Sequence, residues 1–217
     1  MSGTQERIAA PKISILMATW NCSSLLANFF RSLEAQSPGD WELLILDNCS
    51  SDGLPQLVRQ YQAAHPDHLI RFSSQTDAGI YDAWNRGIKL AEGDYLCFIG
   101  ADDIFVSSES LQQLLDLTSS SAELITCRNS YYSSDGRFLR DWGSAWNWRR
   151  MRESMNIAHP GMLVRRDLFD RIGLFDPSFK ICGDYEWFLR LAPAVSSVHS
   201  QTSMLKIVQA EIGRAHV

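Results

Sequence analysis

The sequence lacks the glycine-based signatures that bind nucleotides in many α/β enzymes. No G-x-G-x-x-G follows the first predicted strand, which excludes the dinucleotide-binding fold. No G-K-S or G-K-T phosphate loop is present, so the P-loop enzymes are excluded as well. The segment that follows the first strand, residues 19–24, is neither glycine-rich nor basic. This composition argues against a nucleotidyltransferase, which usually carries a glycine-rich basic loop there.

Cysteine is sparse and scattered, and long apolar runs are missing. The five cysteines form no C-x-x-C pair, which indicates neither a zinc site nor a disulfide framework. Unpaired thiols of this kind favour a reducing, cytoplasmic location. A bilayer span needs about 20 apolar residues, and no run in the chain is that long. The N-terminus lacks a basic segment followed by a long apolar one, so no signal peptide is predicted.

Length and charge narrow the class further. The 217 residues suit one large domain, and the net charge of −5 does not favour a nucleic-acid partner. Residues 1–11 are expected to form a flexible leader, and residues 12–207 the single domain. Residues 208–217 carry no periodicity and look non-native, which predicts that a natural C-terminal segment is missing.

Strand and helix patterns alternate in the first half of the chain. Apolar strands are predicted at residues 13–18, 41–46, 69–72 and 95–99, with amphipathic helices between them. This β-α-β-α-β-α-β order predicts an α/β fold, with a mostly parallel, doubly wound sheet and helices on both faces. The carboxyl ends of such strands lie at one edge of the sheet, where ligands bind.

The stretch from Asp77 to Asp103 is the most informative. Residues 80–91 have helical spacing of apolar residues, with Ile80 and Trp84 on the predicted buried face. A buried strand then ends in Asp102 and Asp103. Two carboxylates at the end of a buried strand are costly unless they bind a cation, and Mg²⁺ prefers such oxygen ligands. A plain turn after the strand is the alternative.

The second half is less regular. A helix is predicted at 108–117, a strand at 124–127, a hairpin at 131–137 and a further strand within 156–164. Helices are predicted at 168–172 and within 181–191, with Asp184 near the first turn of the second. An acidic residue in a first helical turn is favoured by the helix dipole alone, so capping is one interpretation of Asp184. Residues 142–155 are rich in Trp and Arg. This composition suggests either a surface on which an acceptor sugar stacks against aromatic rings, Trp142 included, or aromatic side chains that fold onto the core. His159 either faces a diphosphate or acceptor, or is a hydrogen-bonded histidine at the core edge.

Five segments together resemble family 2 inverting glycosyltransferases with the GT-A fold. They are I-S-I-L-M-A-T-W-N, L-L-I-L-D-N-C-S-S-D-G, D-A-G-I-Y-D-A-W-N-R-G, Y-L-C-F-I-G-A-D-D, and H-P-G followed by G-D-Y-E-W-F-L-R. The resemblance covers residues 12–192. It departs from the family at the D-x-D region, where Gly100 or Ala101 replaces the usual first acid.

The resemblance implies a role for each matching residue. Around the donor base and ribose it implies Thr19, Asn21, Asp47 and Asp52, with Asp47 accepting from the nucleobase. Over the nucleotide and donor sugar it implies Asp77, Gly79 and Asn85. Asp103 would bind Mg²⁺ or Mn²⁺, Asp102 would contact the ribose or the metal, and Asp184 would be the catalytic base. Glu186 is expected to pair with Arg190 instead.

These roles predict transfer of a sugar from a nucleotide-diphosphate sugar to a hydroxyl of a glycan or lipid-linked acceptor. A metal would offset the charge of the leaving diphosphate, and a base would deprotonate the acceptor. The predicted setting is surface polysaccharide or lipid-linked glycan synthesis, with peripheral contact at the inner face of the plasma membrane. A nucleotidyltransferase, a non-catalytic nucleotide-sugar-binding module and a hydrolase with paired carboxylates are the alternatives.

Overall fold

The computed structural model describes residues 11–37 and 39–208, so the leader up to residue 10 and the tail from 209 lie outside the described residues. Within these ranges the strands form a single sheet of nine, with helices packed on it. The strands are β1 (Ile13–Thr19), β2 (Trp41–Asp47), β3 (Leu69–Ser74), β4 (Tyr95–Ile99), β5 (Ile104–Phe105), β6 (Leu124–Tyr132), β7 (Phe138–Trp142), β8 (Leu163–Arg165) and β9 (Ser197–Val208). The helices are α1 (Ser23–Glu34), α2 (Leu54–Ala64), α3 (Ile80–Leu90), α4 (Ser110–Leu117), α5 (Trp148–Met151), α6 (Asp167–Ile172) and α7 (Gly183–Leu189).

The first half of the sheet has the predicted parallel arrangement. Its strands lie in the order β3-β2-β1-β4, and all three neighbouring pairs are parallel. Every residue of β2 and β4 is buried, as expected for strands covered on both faces. The chain moves outward from β1 to β3 and then returns to the other side of β1. This reversal opens a crevice at the carboxyl ends of β1 and β4.

The second half makes the sheet mixed. Strand β8 is antiparallel to both β4 and β6, β5 is antiparallel to β9, and only β6 and β9 are parallel. The mostly parallel arrangement therefore describes the first half of an α/β sheet whose fold class is otherwise as predicted. Strand β9 was not predicted, because its exposure pattern follows neither a continuous apolar run nor a clean alternation. It ends at Val208, one residue beyond the predicted domain boundary.

Helix α3 presents its aromatic residues to the sheet. Tyr81, Trp84 and Ile88 are buried, whereas Ile80 is 44% exposed. The predicted buried face is thus correct for Trp84 and wrong for Ile80, because the helix begins at Ile80 and this first residue lies at the rim. No helix among the described residues is long and apolar enough to span a bilayer.

Candidate active site

Asp47 joins the ends of three strands. It is fully buried, and its carboxylate accepts hydrogen bonds from Thr19 Oγ1 at 3.3 Å, Ser74 Oγ at 2.6 Å, and Ser50 Oγ and N at 2.5 and 3.0 Å. A carboxylate has about four acceptor positions, so protein donors occupy all of them. Asp47 and Thr19 shape the base of the crevice. The prediction that Asp47 accepts from a nucleobase stays a prediction.

Asn21 and Asp52 connect the loops that follow β1 and β2. Asn21 has a left-handed backbone (φ 46°), and its Oδ1 accepts from Ser51 N at 2.9 Å. Asp52 Oδ2 accepts from Ser23 N at 2.7 Å, and this hydrogen bond lowers the pKa of the Asp52 carboxyl. These contacts fix the shape of the two loops. The donor contacts predicted for Asn21 and Asp52 stay predictions.

The Asp77 loop is attached to the same edge of the sheet. Asp77 N donates to Asn48 Oδ1 at 3.0 Å, and Asp77 Oδ1 accepts from Gly79 N at 3.1 Å. Burial raises the pKa of Asp77, although Gly79 N–H and the nearby Arg86 oppose the rise. Gly79 has φ 132°, a conformation that side chains rarely adopt. Asn48 was missed by the sequence analysis, although it directly follows a strand-end aspartate.

Asp103 is a buried carboxylate at the start of the crevice. It is 4% exposed, and its Oδ2 accepts from Gly100 N at 2.7 Å. Burial, together with the charge of Asp102, raises the pKa of Asp103 to about 7, although the Gly100 N–H opposes this. A Cβ at position 100 would lie 2.8 Å from Asp102 Oδ1 and 3.2 Å from Asp103 Oδ2. The glycine therefore leaves room for the two carboxylates side by side.

The donor set at Asp102 and Asp103 fits a magnesium or manganese ion. Asp103 Oδ1 accepts no hydrogen bond from the described residues, which leaves it available to a cation. No group of three potential metal ligands is present among the described residues. Mg²⁺ commonly binds through only one or two carboxylates, with waters and substrate phosphates completing its coordination. The two aspartates suit that mode and no all-protein site.

Asp184 lies in the first turn of α7, between two hydrogen-bond donors. Tyr81 OH donates to its Oδ1 at 3.2 Å, and His159 Nδ1 lies 3.2 Å from its Oδ2. Burial alone would raise the pKa of Asp184. The hydrogen bond and charge of His159, together with hydrogen bonds from Tyr185 N–H and Tyr81 OH, outweigh the effect of burial and lower this pKa to about 2. Its side chain is 21% exposed. Asp184 is thus an ionised, oriented carboxylate that remains accessible from the crevice.

His159 belongs to the Asp184 pair and to the aromatic core. It is 3% exposed, and its ring contacts Trp84 and Phe188 edge-on, at centroid distances of 5.4 and 5.3 Å. Its Nε2 is buried without a partner among the described residues. Of the two interpretations of His159, the structure favours the hydrogen-bonded histidine at the core edge. A direct contact of His159 to the diphosphate or the acceptor stays a prediction.

Asn85 holds the segment between α6 and α7. Its Nδ2 donates to Phe175 O at 2.8 Å, and its Oδ1 accepts from Phe175 N at 3.0 Å. Asn85 is 8% exposed. These two hydrogen bonds hold the chain that leads to Asp184. The donor contact that the resemblance implies for Asn85 stays a prediction.

Trp142 lies at the end of β7, edge-on to Tyr131 at 6.3 Å between centroids. It lines a cleft of about 410 Å³ with Arg150 and Asn156. Helix α5 forms a wall of this cleft and is attached to α7, since Tyr185 OH donates to Met151 O at 2.5 Å. The acceptor role of Trp142 stays a prediction. Further along α7, the expected ion pair is present, with Arg190 Nε 3.1 Å from Glu186 Oε1.

Sequence comparison identifies the family of this chain. The family model described as "Glycosyl transferase family 2" matches residues 14–173, which include the loops of Asp47, Asp77 and Asp103 and also His159. The chain belongs to glycosyltransferase family 2. A relative named "PGL/p-HBAD biosynthesis glycosyltransferase" from Mycobacterium tuberculosis is 30% identical over 183 residues, which cover 84% of this chain and 70% of that protein. Chondroitin synthase from Escherichia coli is 26% identical over 197 residues, covering 88% of this chain and 28% of the synthase.

Solved structures share the fold of this family 2 chain. The S. aureus TarS 1-349 complex with UDP-GlcNAc superposes with a TM-score of 0.74 at 19% identity, over 92% of this chain and 59% of the TarS chain. The mannosyltransferase PcManGT from Pyrobaculum calidifontis, in complex with GDP-Man and Mn²⁺, gives a TM-score of 0.71 at 15% identity, over 94% and 59% of the two chains. The predicted GT-A-type fold is confirmed. The chain spans about three fifths of the length of these two structures.

Proposed function

We propose that this chain transfers a sugar from a nucleotide-diphosphate sugar to an acceptor hydroxyl, with inversion at the anomeric carbon. The observation that supports this most strongly is the position of Asp184 beside the Asp77 loop. Tyr81, the second residue of α3, donates to Asp184, and Lys180 Nζ donates to Ala78 O at 3.1 Å. A proton acceptor therefore adjoins the crevice where a donor is expected.

The crevice suits the diphosphate of the donor. The Asp77 loop and the Asp102–Asp103 pair border it, and TarS and PcManGT were solved with UDP-GlcNAc and with GDP-Man and Mn²⁺. Asp103, assisted by Asp102, would hold Mg²⁺ or Mn²⁺. When bound, such an ion offsets the charge that develops on the departing diphosphate.

Asp184 would act on the acceptor. The acceptor oxygen attacks the anomeric carbon from the face opposite the diphosphate, and the bond from this carbon to the diphosphate breaks. The acceptor proton passes to Asp184, and a nucleoside diphosphate leaves. An oxygen that is bonding to carbon becomes strongly acidic, so a carboxylate with a pKa near 2 can accept its proton late in the step. His159 and Tyr81 hold this carboxylate in one orientation.

The acceptor in this proposal is a glycan or a lipid-linked glycan. The relatives named for PGL/p-HBAD biosynthesis and chondroitin synthesis support this class. We further propose that the chain acts in surface polysaccharide or lipid-linked glycan synthesis, in the cytoplasm at the inner face of the plasma membrane. The cleft beside Trp142 is the acceptor site in this proposal.

A donor screen tests the proposal. The full chain is incubated with UDP-, GDP- and dTDP-sugars, with Mn²⁺ or Mg²⁺ and with EDTA, and nucleoside diphosphate release is measured. We expect release from one donor class with metal and little with EDTA. Calorimetry of the Asp103→Ala and Asp184→Ala variants separates binding from chemistry, because only the first should weaken donor binding. Turnover of no donor would contradict the proposal, as would donor binding and turnover that neither variant changes.

A further inference from the structure

The segment 137–153 differs in charge from the rest of the molecule. It carries five arginines and two carboxylates, a net charge of +3 in a chain whose net charge is −5. The segment consists of β7, a connecting loop and α5. All five guanidinium side chains belong to residues with high exposure, namely Arg137, Arg140, Arg149, Arg150 and Arg152.

These arginines lack carboxylate partners. None of the five has a carboxylate oxygen within 4.0 Å among the described residues. Arg71, Arg165 and Arg171, by contrast, each form ion pairs, at distances of 3.0, 2.6 and 2.5 Å. The positive charge of the 137–153 segment is therefore not offset within the described protein, and it faces outward.

Exposed apolar side chains accompany the charge. Phe138 is 52% exposed and Leu139 is 39% exposed on β7, an outer strand whose one partner among the described strands is β6. Arg137 and Arg140 flank this pair in sequence. Apolar side chains interleaved with arginine match the boundary of an anionic bilayer, where aromatic groups enter the interface and cations meet headgroups.

The same segment adjoins the acceptor side of the site. Helix α5 is tied to α7 by the hydrogen bond from Tyr185 OH to Met151 O, and Tyr185 directly follows Asp184. We infer that residues 137–153 form a docking face for an anionic phospholipid bilayer. The role of this face in presenting a lipid-linked acceptor rests on the proposed function, whereas bilayer binding itself does not.

A bilayer explains this face better than a nucleic acid does. A polyanion would neutralise the arginines but would leave Phe138 and Leu139 exposed to water. Each basic residue near an anionic surface contributes enough to change affinity about fivefold, so three of them change it by about 10²-fold at low ionic strength. The attraction also weakens with salt, because the charges are exposed.

Vesicle co-sedimentation tests the docking face. The full chain is mixed with vesicles of phosphatidylcholine alone or with phosphatidylglycerol added, without donor or metal, at low and high salt. The triple variant Arg137→Gln, Arg149→Gln, Arg152→Gln is compared with a matched control that loses three exposed basic residues elsewhere: Arg31→Gln, Arg59→Gln, Lys89→Gln. Phe138→Ser tests the apolar contribution.

We expect binding to the anionic vesicles only, weakened about 10²-fold in the triple variant and retained in the control. Phe138→Ser should weaken it by a smaller factor. Equal losses in the triple variant and the control would overturn the inference, as would equal binding to neutral vesicles or no vesicle binding at all. RNA retardation without vesicle binding would assign the face to a polyanion instead. Because no donor is present, failure here is distinct from failure of the transferase proposal. Circular dichroism verifies that each variant is folded.

Discussion

Asp103 and Asp184 both lose hydration through burial, but their surroundings shift their pKa values in opposite directions. Burial and the charge of Asp102 raise the pKa of Asp103 to about 7, with only the Gly100 N–H opposing the rise. Burial would likewise raise the pKa of Asp184, but His159 and Tyr81 lower it to about 2. The difference lies in the partners, since both groups lose hydration.

This contrast separates the two halves of the proposed chemistry. Asp103 has one oxygen without a donor among the described residues, so a bound cation would stabilise its charged form. Asp184 already has the imidazole of His159 beside one oxygen and a phenol that donates to the other. The first carboxylate is therefore suited to a metal, and the second to orientation and proton transfer. The predictions below test this division, beginning with the largest expected effect.

Replacing the base should have the largest effect. Asp184→Asn keeps the shape of the side chain but removes its proton affinity, and we expect kcat for transfer to fall by about 10²–10⁴-fold. Donor binding, measured by calorimetry, should change little. Glu186→Gln is the matched control on the same helix, because Glu186 pairs with Arg190 at the surface. Transfer at the wild-type rate by Asp184→Asn would remove Asp184 from the mechanism.

Replacing the metal-facing carboxylate should have the next largest effect. Asp103→Asn retains an acceptor for Gly100 N–H but loses the charge, so we expect a fall in kcat/KM of about 10²–10³-fold. The wild-type chain should lose activity in EDTA and regain it with Mn²⁺, and the variant should respond to neither. A variant that is as active as wild type and equally sensitive to EDTA would place the metal elsewhere.

The position of Asp103 in the crevice could be predicted from the sequence. Strands β1, β2 and β4 are continuous apolar runs that the periodicity identifies, and parallel order brings their ends to one edge. A D-D pair two residues beyond such a run is expected to lie in the crevice. What could not be predicted is the saturation of Asp47, because its donors Ser50 and Ser74 come from separate loops.

The partners of Asp184 could not be predicted, because they are brought to it by tertiary contacts. His159 and Asp184 are far apart in sequence, and they meet because β8 pairs antiparallel to β4 while α7 folds back onto α3. No local spacing encodes that meeting. Tyr81 was passed over for a similar reason, since its hydroxyl reaches Gly183 N and Asp184 across more than 100 residues. Its position in the D-A-G-I-Y segment was the only available signal.

His159 should control the acid limb of the pH profile. A depressed carboxyl pKa contributes stability above its unfolded value near 3.8, and this contribution is lost as pH falls through about 2. His159→Gln removes the imidazole whose hydrogen bond and charge lower the pKa of Asp184, so this pKa should rise and the acid limb of kcat should move to higher pH. Because one hydrogen bond to a charged group is lost, kcat at neutral pH should also fall about tenfold.

The control for this variant is His65→Gln, because His65 pairs with Glu34 on the α1–α2 side of the sheet. The kcat profile is measured from acidic to neutral pH in both variants. A profile that moves equally in the two variants would assign the shift to general charge. A profile that moves in neither would show that His159 does not act through Asp184.

The smallest effect is expected at Asn85, where the two ends of the site can be separated. Asn85→Ala leaves the buried Phe175 N and O without partners, and each unsatisfied group costs about 1–3 kcal/mol of unfolding free energy. Thermal unfolding should show this loss, and kcat should fall severalfold because the chain that carries Asp184 is loosened. Mn²⁺ affinity should not change, since β4 and Asp103 do not depend on this contact. Weaker donor binding with unchanged stability would instead support the direct donor contact that the sequence predicts for Asn85.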